Sequence, residues 1–135
     1  MNRRSTQEHY VLLASTNDRV LEAAQDELNQ AGYRFIVCTD GFETLSALHG
    51  EIPQIVVIEP GMRTYSGELI AQYVLEDVVY KHTAVLFLAS SADSTLHDLI
   101  FGHNERIKGF LRFPFHKGEL REFIRRLLEA VATPK

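Results

Sequence analysis

Pro53-Gln54-Ile55-Val56-Val57-Ile58-Glu59-Pro60-Gly61 sets four consecutive β-branched apolar residues between a proline and a Pro-Gly turn. A stretch apolar at every position, not at alternate ones, predicts a strand buried on both faces, the pattern of a parallel sheet covered by helices on each side. The same signature recurs outward from it. Upstream lie Tyr10-Val-Leu-Leu-Ala14 and Phe35-Ile-Val-Cys38; downstream lie Ala84-Val-Leu-Phe-Leu88 and Ile107-Lys-Gly-Phe-Leu111. Between these runs the apolar period changes from continuous to helical. Residues 18 to 31 repeat Val20, Leu21, Ala24, Leu28 and Ala31 on one face, with Asn17 or Asp18 to cap the start and Gly32 placed to end the helix. Asp40 with Glu43 reads as a capping box before Leu45 and Leu48. Further helices are predicted over Ser66 to Tyr80, Ser91 to Gly102 and Lys117 to Val131. The last turns Leu120, Phe123, Ile124, Leu127 and Val131 inward.

Five strands alternating with five helices require crossover connections, and these are right-handed in parallel sheets. The expected fold is therefore α/β, a three-layer doubly wound five-stranded parallel sheet. With 135 residues, 45% of them hydrophobic, the chain holds one such domain. It is expected over residues 10–131, with a flexible N-terminus at 1–9 and a short tail at 132–135. A lone cysteine, Cys38, forms no internal bridge and reads as a small core residue. No secretory segment or bilayer-length apolar run is present, so a cytoplasmic setting is expected. The net charge of −4 argues against nucleic-acid binding. It is unevenly spread, however: residues 1–80 carry 5 arginines against 12 carboxylates, residues 81–135 carry 9 basic against 6 acidic groups. The basic surplus reads either as solvated faces or as a partner surface built from the C-terminal segments.

In doubly wound sheets function sits in the crevice at the carboxyl ends of the strands. The residues there are Ser15-Thr16-Asn17, Glu59-Pro60-Gly61, Ala89-Ser90 and Arg112-Phe113-Pro114-Phe115. Together with Gly32-Tyr33, Asp40-Gly41, the Pro53–Ile58 run and Gly67 eight residues past Glu59, their order and spacing resemble a response-regulator receiver domain of flavodoxin-like topology over residues 10 to 131. The stretch from Ser90 to Phe110 is about two residues longer than that pattern.

The resemblance implies chemistry that these residues do not supply. Where the family has a phosphoacceptor aspartate the chain has Glu59, and where it has an acidic pair for Mg²⁺ the chain has Ser15 and Thr16. Ala89 and Phe113 stand in place of the hydroxyl and the lysine that hold the phosphoryl oxygens, and Phe110 stands at the switch-aromatic position. Two hydroxyls and one glutamate make a poor Mg²⁺ site, and phosphoryl transfer needs cations to neutralise developing charge. Glu59 reads either as a solvated loop acid or as a fixed mimic of the phosphorylated state, and Phe113 either as a plug of the vacated pocket or as a turn aromatic. Phe110 is expected in one fixed rotamer.

The expected function is thus a phosphorylation-independent pseudo-receiver, not an enzyme, acting as a protein-interaction module in bacterial signal transduction without metal or cofactor. The resemblance places its partner or homodimer contact on the face of the fourth predicted helix, fifth strand and fifth predicted helix, with Arg106, Lys108, Arg121 and Arg125 as candidates. It also implies a cis peptide between Phe113 and Pro114. Two alternatives stand beside this reading: an atypical receiver phosphorylated at Glu59 or Ser90, and a small-ligand sensor using the loop at Ser15. The six histidines lack a helical ligand pair, which argues against zinc. In the third predicted helix, Ile70, Ala71, Val74 and Val78 suffice for the core, leaving Leu69, Tyr73 and Tyr80 as surplus apolar surface.

Overall fold

A computed structural model describes residues 9–89 and 107–132. Strands β1 (Tyr10–Ala14), β2 (Arg34–Cys38), β3 (Ile55–Ile58), β4 (Ala84–Ala89) and β5 (Ile107–Arg112) form one sheet in the order β2-β1-β3-β4-β5. All of its pairings are parallel. The described helices are α1 (Asp18–Ala31), α2 (Gly41–Gly50), α3 (Gly67–Glu76) and α4 (Glu119–Ala132), with a 3-10 turn at Val78–Tyr80. The fourth predicted helix, with Ser90 and Arg106 beside it, lies outside the described residues.

Alternation along each strand divides the core in two. Val11, Leu13, Ile55, Val57, Leu86, Leu88 and Leu111 meet α1 and α4 through Val20, Leu21, Ala24, Leu28, Leu120, Ile124, Leu127 and Leu128. Leu12, Ala14, Val56, Ile58, Val85 and Phe87 face the other way, against Leu48 of α2 and Ile70, Ala71 and Val74 of α3. Both faces of the inner strands are thus dry, as the continuous apolar runs require. Strand β2 departs from this expectation. It forms an edge, so only Cys38 is fully buried while Arg34 and Ile36 are exposed.

The third predicted helix is corrected most. It ends at Glu76, because Asp77 is extended (φ −105°, ψ 126°) and its carboxylate accepts the Val79 N–H to start the 3-10 turn. The break reverses the expected facing. Val78 is 72% exposed, whereas Tyr80 is buried and its hydroxyl donates to the Leu48 carbonyl at 3.2 Å. Leu69 remains exposed and Tyr73 half-buried. Helix α2 is capped as expected by Asp40, which accepts the Glu43 N–H at 2.8 Å. Glu43 reaches one residue further back than a capping box does, to the Thr39 N–H and hydroxyl.

Candidate functional site

Strands β1 and β3 pair in parallel with Ala14 opposite Ile58, so the residues that follow, Ser15 and Glu59, leave the sheet side by side at its carboxyl end. The ladder continues one step beyond them: the Glu59 N–H donates to the Ala14 carbonyl at 3.0 Å, and the Ser15 N–H to the Cys38 carbonyl at 3.1 Å. The Glu59 side chain then folds back over the β1–α1 loop. Its Oε1 accepts the Ser15 hydroxyl at 2.5 Å and the Thr16 N–H at 2.9 Å. The buried Ser15 hydroxyl in turn accepts the Asn17 N–H at 2.9 Å. Asn17 completes the loop by capping α1, its Oδ1 accepting the Arg19 and Val20 N–H groups. A carboxylate at this position is therefore held by neutral donors of the loop itself.

The β3–α3 loop is pinned around this contact by two glycines. A Cβ on Gly67 would lie 2.2 Å from the Glu59 carbonyl oxygen and 3.0 Å from Pro60 Cα, so only glycine lets α3 start this close. Gly41 performs the same service for α2. A Cβ there would lie 2.2 Å from the Tyr65 carbonyl oxygen, and its N–H donates to the Arg63 carbonyl at 3.0 Å.

Across the crevice, Ala89 and Phe113 are apolar. Ala89 is buried at the end of β4, and its carbonyl accepts the Phe113 N–H at 2.7 Å. The Phe113–Pro114 peptide is cis, as the resemblance implies. The half-buried Phe113 ring packs into the α1/α4 side of the core and stands edge-on to Phe115, with ring centroids 5.7 Å apart. This places it as a core aromatic beside the turn. Arg112, the register partner of Ala89, is exposed, and Phe110 is half-buried against the α2/α3 side. Among the described residues no three His, Cys, Asp or Glu side chains converge into a metal site.

Of the basic residues singled out from the sequence, Arg121 and Arg125 are engaged with different partners. Arg121 is turned toward α1, its Nη1 donating to Gln30 at 2.7 Å and its Nε lying 3.7 Å from Glu27. Arg125 is exposed on α4 and bonded to Glu122 and Glu129, each at 2.6 Å, and these partners raise its pKa. Lys108 lies on β5, and Arg106 falls outside the described residues.

Sequence reasoning missed Glu27, which is 4% exposed and accepts the Gly118 N–H at 2.8 Å and the Arg121 N–H at 3.2 Å. It satisfies two donors at the start of α4 from a neighbouring helix. The signal was present: Val20, Ala24, Glu27 and Ala31 follow the helical repeat that defines the buried stripe of α1.

No family model and no curated protein matches the chain. Solved structures do match it. One is the signal receiver domain of an HD domain-containing protein from Pseudomonas fluorescens Pf-5, with a TM-score of 0.80, 21% identity, and coverage of 93% of this chain and 98% of that one. Another is the chemotaxis response regulator CheY4 of Vibrio cholerae, with a TM-score of 0.75, 20% identity, and coverage of 88% and 98%. A third is the receiver domain of a Pseudomonas aeruginosa PAO1 sensor histidine kinase with magnesium coordinated in its active-site cleft, with a TM-score of 0.78, 15% identity, and coverage of 90% and 98%. With the strand order and the covered parallel sheet already described, these likenesses establish that the chain has the flavodoxin-like fold of response-regulator receiver domains.

Proposed function

We propose that the chain is a receiver-fold module of bacterial two-component signalling that acts through protein contacts and not through phosphotransfer. The observation that carries this reading is the engagement of Glu59 Oε1 by the Ser15 hydroxyl and the Thr16 N–H. The donor set does not fit Mg²⁺, which prefers carboxylates and waters in a tight octahedron. Here one carboxylate oxygen is already bonded to the loop, and its companions are neutral hydroxyls, one of them buried and committed on both sides. Nothing at Ala89 or Phe113 offers the hydroxyl and ammonium that would receive phosphoryl oxygens. No step through a metal or a phosphoryl group is therefore assigned. The small-ligand alternative is disfavoured by the same contact, since the carboxylate already occupies the donors of the Ser15 loop.

The partner surface expected on the fourth predicted helix, β5 and α4 stays part of the proposal. Arg121 belongs to the α1–α4 junction, which leaves Arg106, Lys108 and Arg125 as its candidates. A cytoplasmic setting belongs to the same reading. Among the described residues no helix is long and apolar enough to cross a membrane.

The test is incubation with acetyl phosphate and Mg²⁺ followed by intact-mass measurement. The wild-type chain and Glu59→Asp are both expected to gain no phosphoryl group, because an acceptor without a metal site has no catalytic environment. A stoichiometric phosphoryl adduct on either would overturn the reading.

A further inference from the structure

Helices α2 and α3 cover their side of the sheet with Leu48, Ile70, Ala71 and Val74, yet leave large apolar side chains outside. Phe42 is 61% exposed, Leu69 49% and Tyr65 37%. The fold brings the segments that carry them together. The start of α2 is stitched to the loop before α3 by the Gly41 N–H to the Arg63 carbonyl, and Gly41 lies against the Tyr65 backbone. Phe42 follows Gly41 directly, and Leu69 sits in the first turn of α3, its N–H bonded to the Ser66 cap beside Tyr65. The start of α2, the Tyr65 loop and the first turn of α3 thus adjoin at the carboxyl end of the sheet, beside the Glu59 loop, and each carries an exposed apolar side chain.

The charges on the same segments are mostly acidic. Asp40 and Glu43 flank Phe42 in the chain, and Glu68 precedes Leu69, with Arg63 as the cation on the loop between them. These carboxylates select the occupant. Two copies meeting through this face would set Asp40, Glu43 and Glu68 of one against the same groups of the other, and like charges juxtaposed across an interface suppress that pairing. A partner with apolar side chains ringed by lysine or arginine gains on both counts, and its cations also find the Phe42 and Tyr65 ring faces.

We propose that the α2–α3 face around Phe42, Tyr65 and Leu69 is a docking surface for a basic amphipathic segment of a partner protein. It supplies a surface for the contact role proposed above and rests on that role, while being independent of the loss of phosphotransfer.

The test uses two synthetic helical peptides, one of leucine and lysine and its counterpart of leucine and glutamate, titrated into the full chain and followed by amide spectra. The leucine-lysine peptide is expected to give saturable shifts centred on Gly41–Thr44 and Tyr65–Leu69, weakened by salt. Phe42→Ser with Leu69→Ser is expected to weaken its binding at least about tenfold, a loss typical of central interface anchors. Both side chains are exposed, and an unchanged melting curve confirms that the fold is kept. Glu68→Lys, which alters charge alone, is expected to weaken the leucine-lysine peptide and favour its counterpart. Shifts centred elsewhere, equal binding of both peptides, no saturable binding, or a self-association removed by Phe42→Ser would each overturn the proposal. A phosphoryl adduct in the phosphodonor experiment would instead overturn the proposed function and leave this surface standing.

Discussion

Replacing Glu27 should destabilise the chain more than any exposed charge does. The residue is 4% exposed, and its carboxylate accepts two backbone N–H groups, from Gly118 at 2.8 Å and Arg121 at 3.2 Å. Hydrogen bonds to a charged group contribute about 1.5–3 kcal/mol each, and leaving their donors unpaired forfeits most of that. Gly118 and Arg121 are only half-buried, so water recovers part of it. A negative charge at a helix N-terminus adds about 0.3–1 kcal/mol. Glu27→Ala should therefore cost about 2–4 kcal/mol, comparable to or larger than an ordinary cap deletion. Glu27→Gln keeps one acceptor oxygen and should cost about half as much. Arg121→Ala removes only the partly exposed 3.7 Å ion pair and the bond to Gln30, worth about 0.5–1 kcal/mol. Urea unfolding followed by far-ultraviolet circular dichroism measures all three. For a chain of this size each kcal/mol moves Tm by about 3–6 °C, so Glu27→Ala should melt about 10 °C lower. A loss below about 0.5 kcal/mol for Glu27→Ala would refute the argument that this carboxylate secures the start of α4.

Gly67→Ala should destabilise although alanine favours helices, since its Cβ would meet the Glu59 carbonyl oxygen at 2.2 Å and backbone cannot yield as a side chain can. The expected cost is about 1–3 kcal/mol by urea melt, and a variant as stable as the wild type would show that the loop moves freely. Cys38 should resist iodoacetamide at pH 8 in the folded chain and react on unfolding, because burial, foremost, pushes its thiol up to about 11. The folded state therefore holds the proton more tightly than the unfolded one, so stability is full below about pH 9 and falls as pH rises toward 11. Rapid native-state alkylation at pH 8 would contradict that burial.

The sheet was legible in the chain because burial on both faces writes itself as uninterrupted apolar runs, and Ile55–Ile58 needed no neighbour to be recognised. Helix α1 was legible for a related reason, since its stripe and its Asn17 and Gly32 ends are local. That Ser15, Thr16, Glu59, Ala89 and Phe113 lie at the carboxyl ends of the strands could also be read from order and spacing. What they do to one another could not. Whether Glu59 faces solvent or folds onto Ser15 depends on β1 and β3 being neighbours in register, a contact across 44 residues of sequence. The same limit hid the role of Glu27, whose donors lie 91 and 94 residues away. Val78 and Tyr80 were misplaced for a different reason. A helical repeat continues on paper through Asp77, but in the folded chain Asp77 turns extended and the Tyr80 ring is drawn inward to the Leu48 carbonyl. Periodicity records which residues avoid water. Long-range hydrogen bonds record which partners the avoiding chain has brought within reach, and only the tertiary structure decides them.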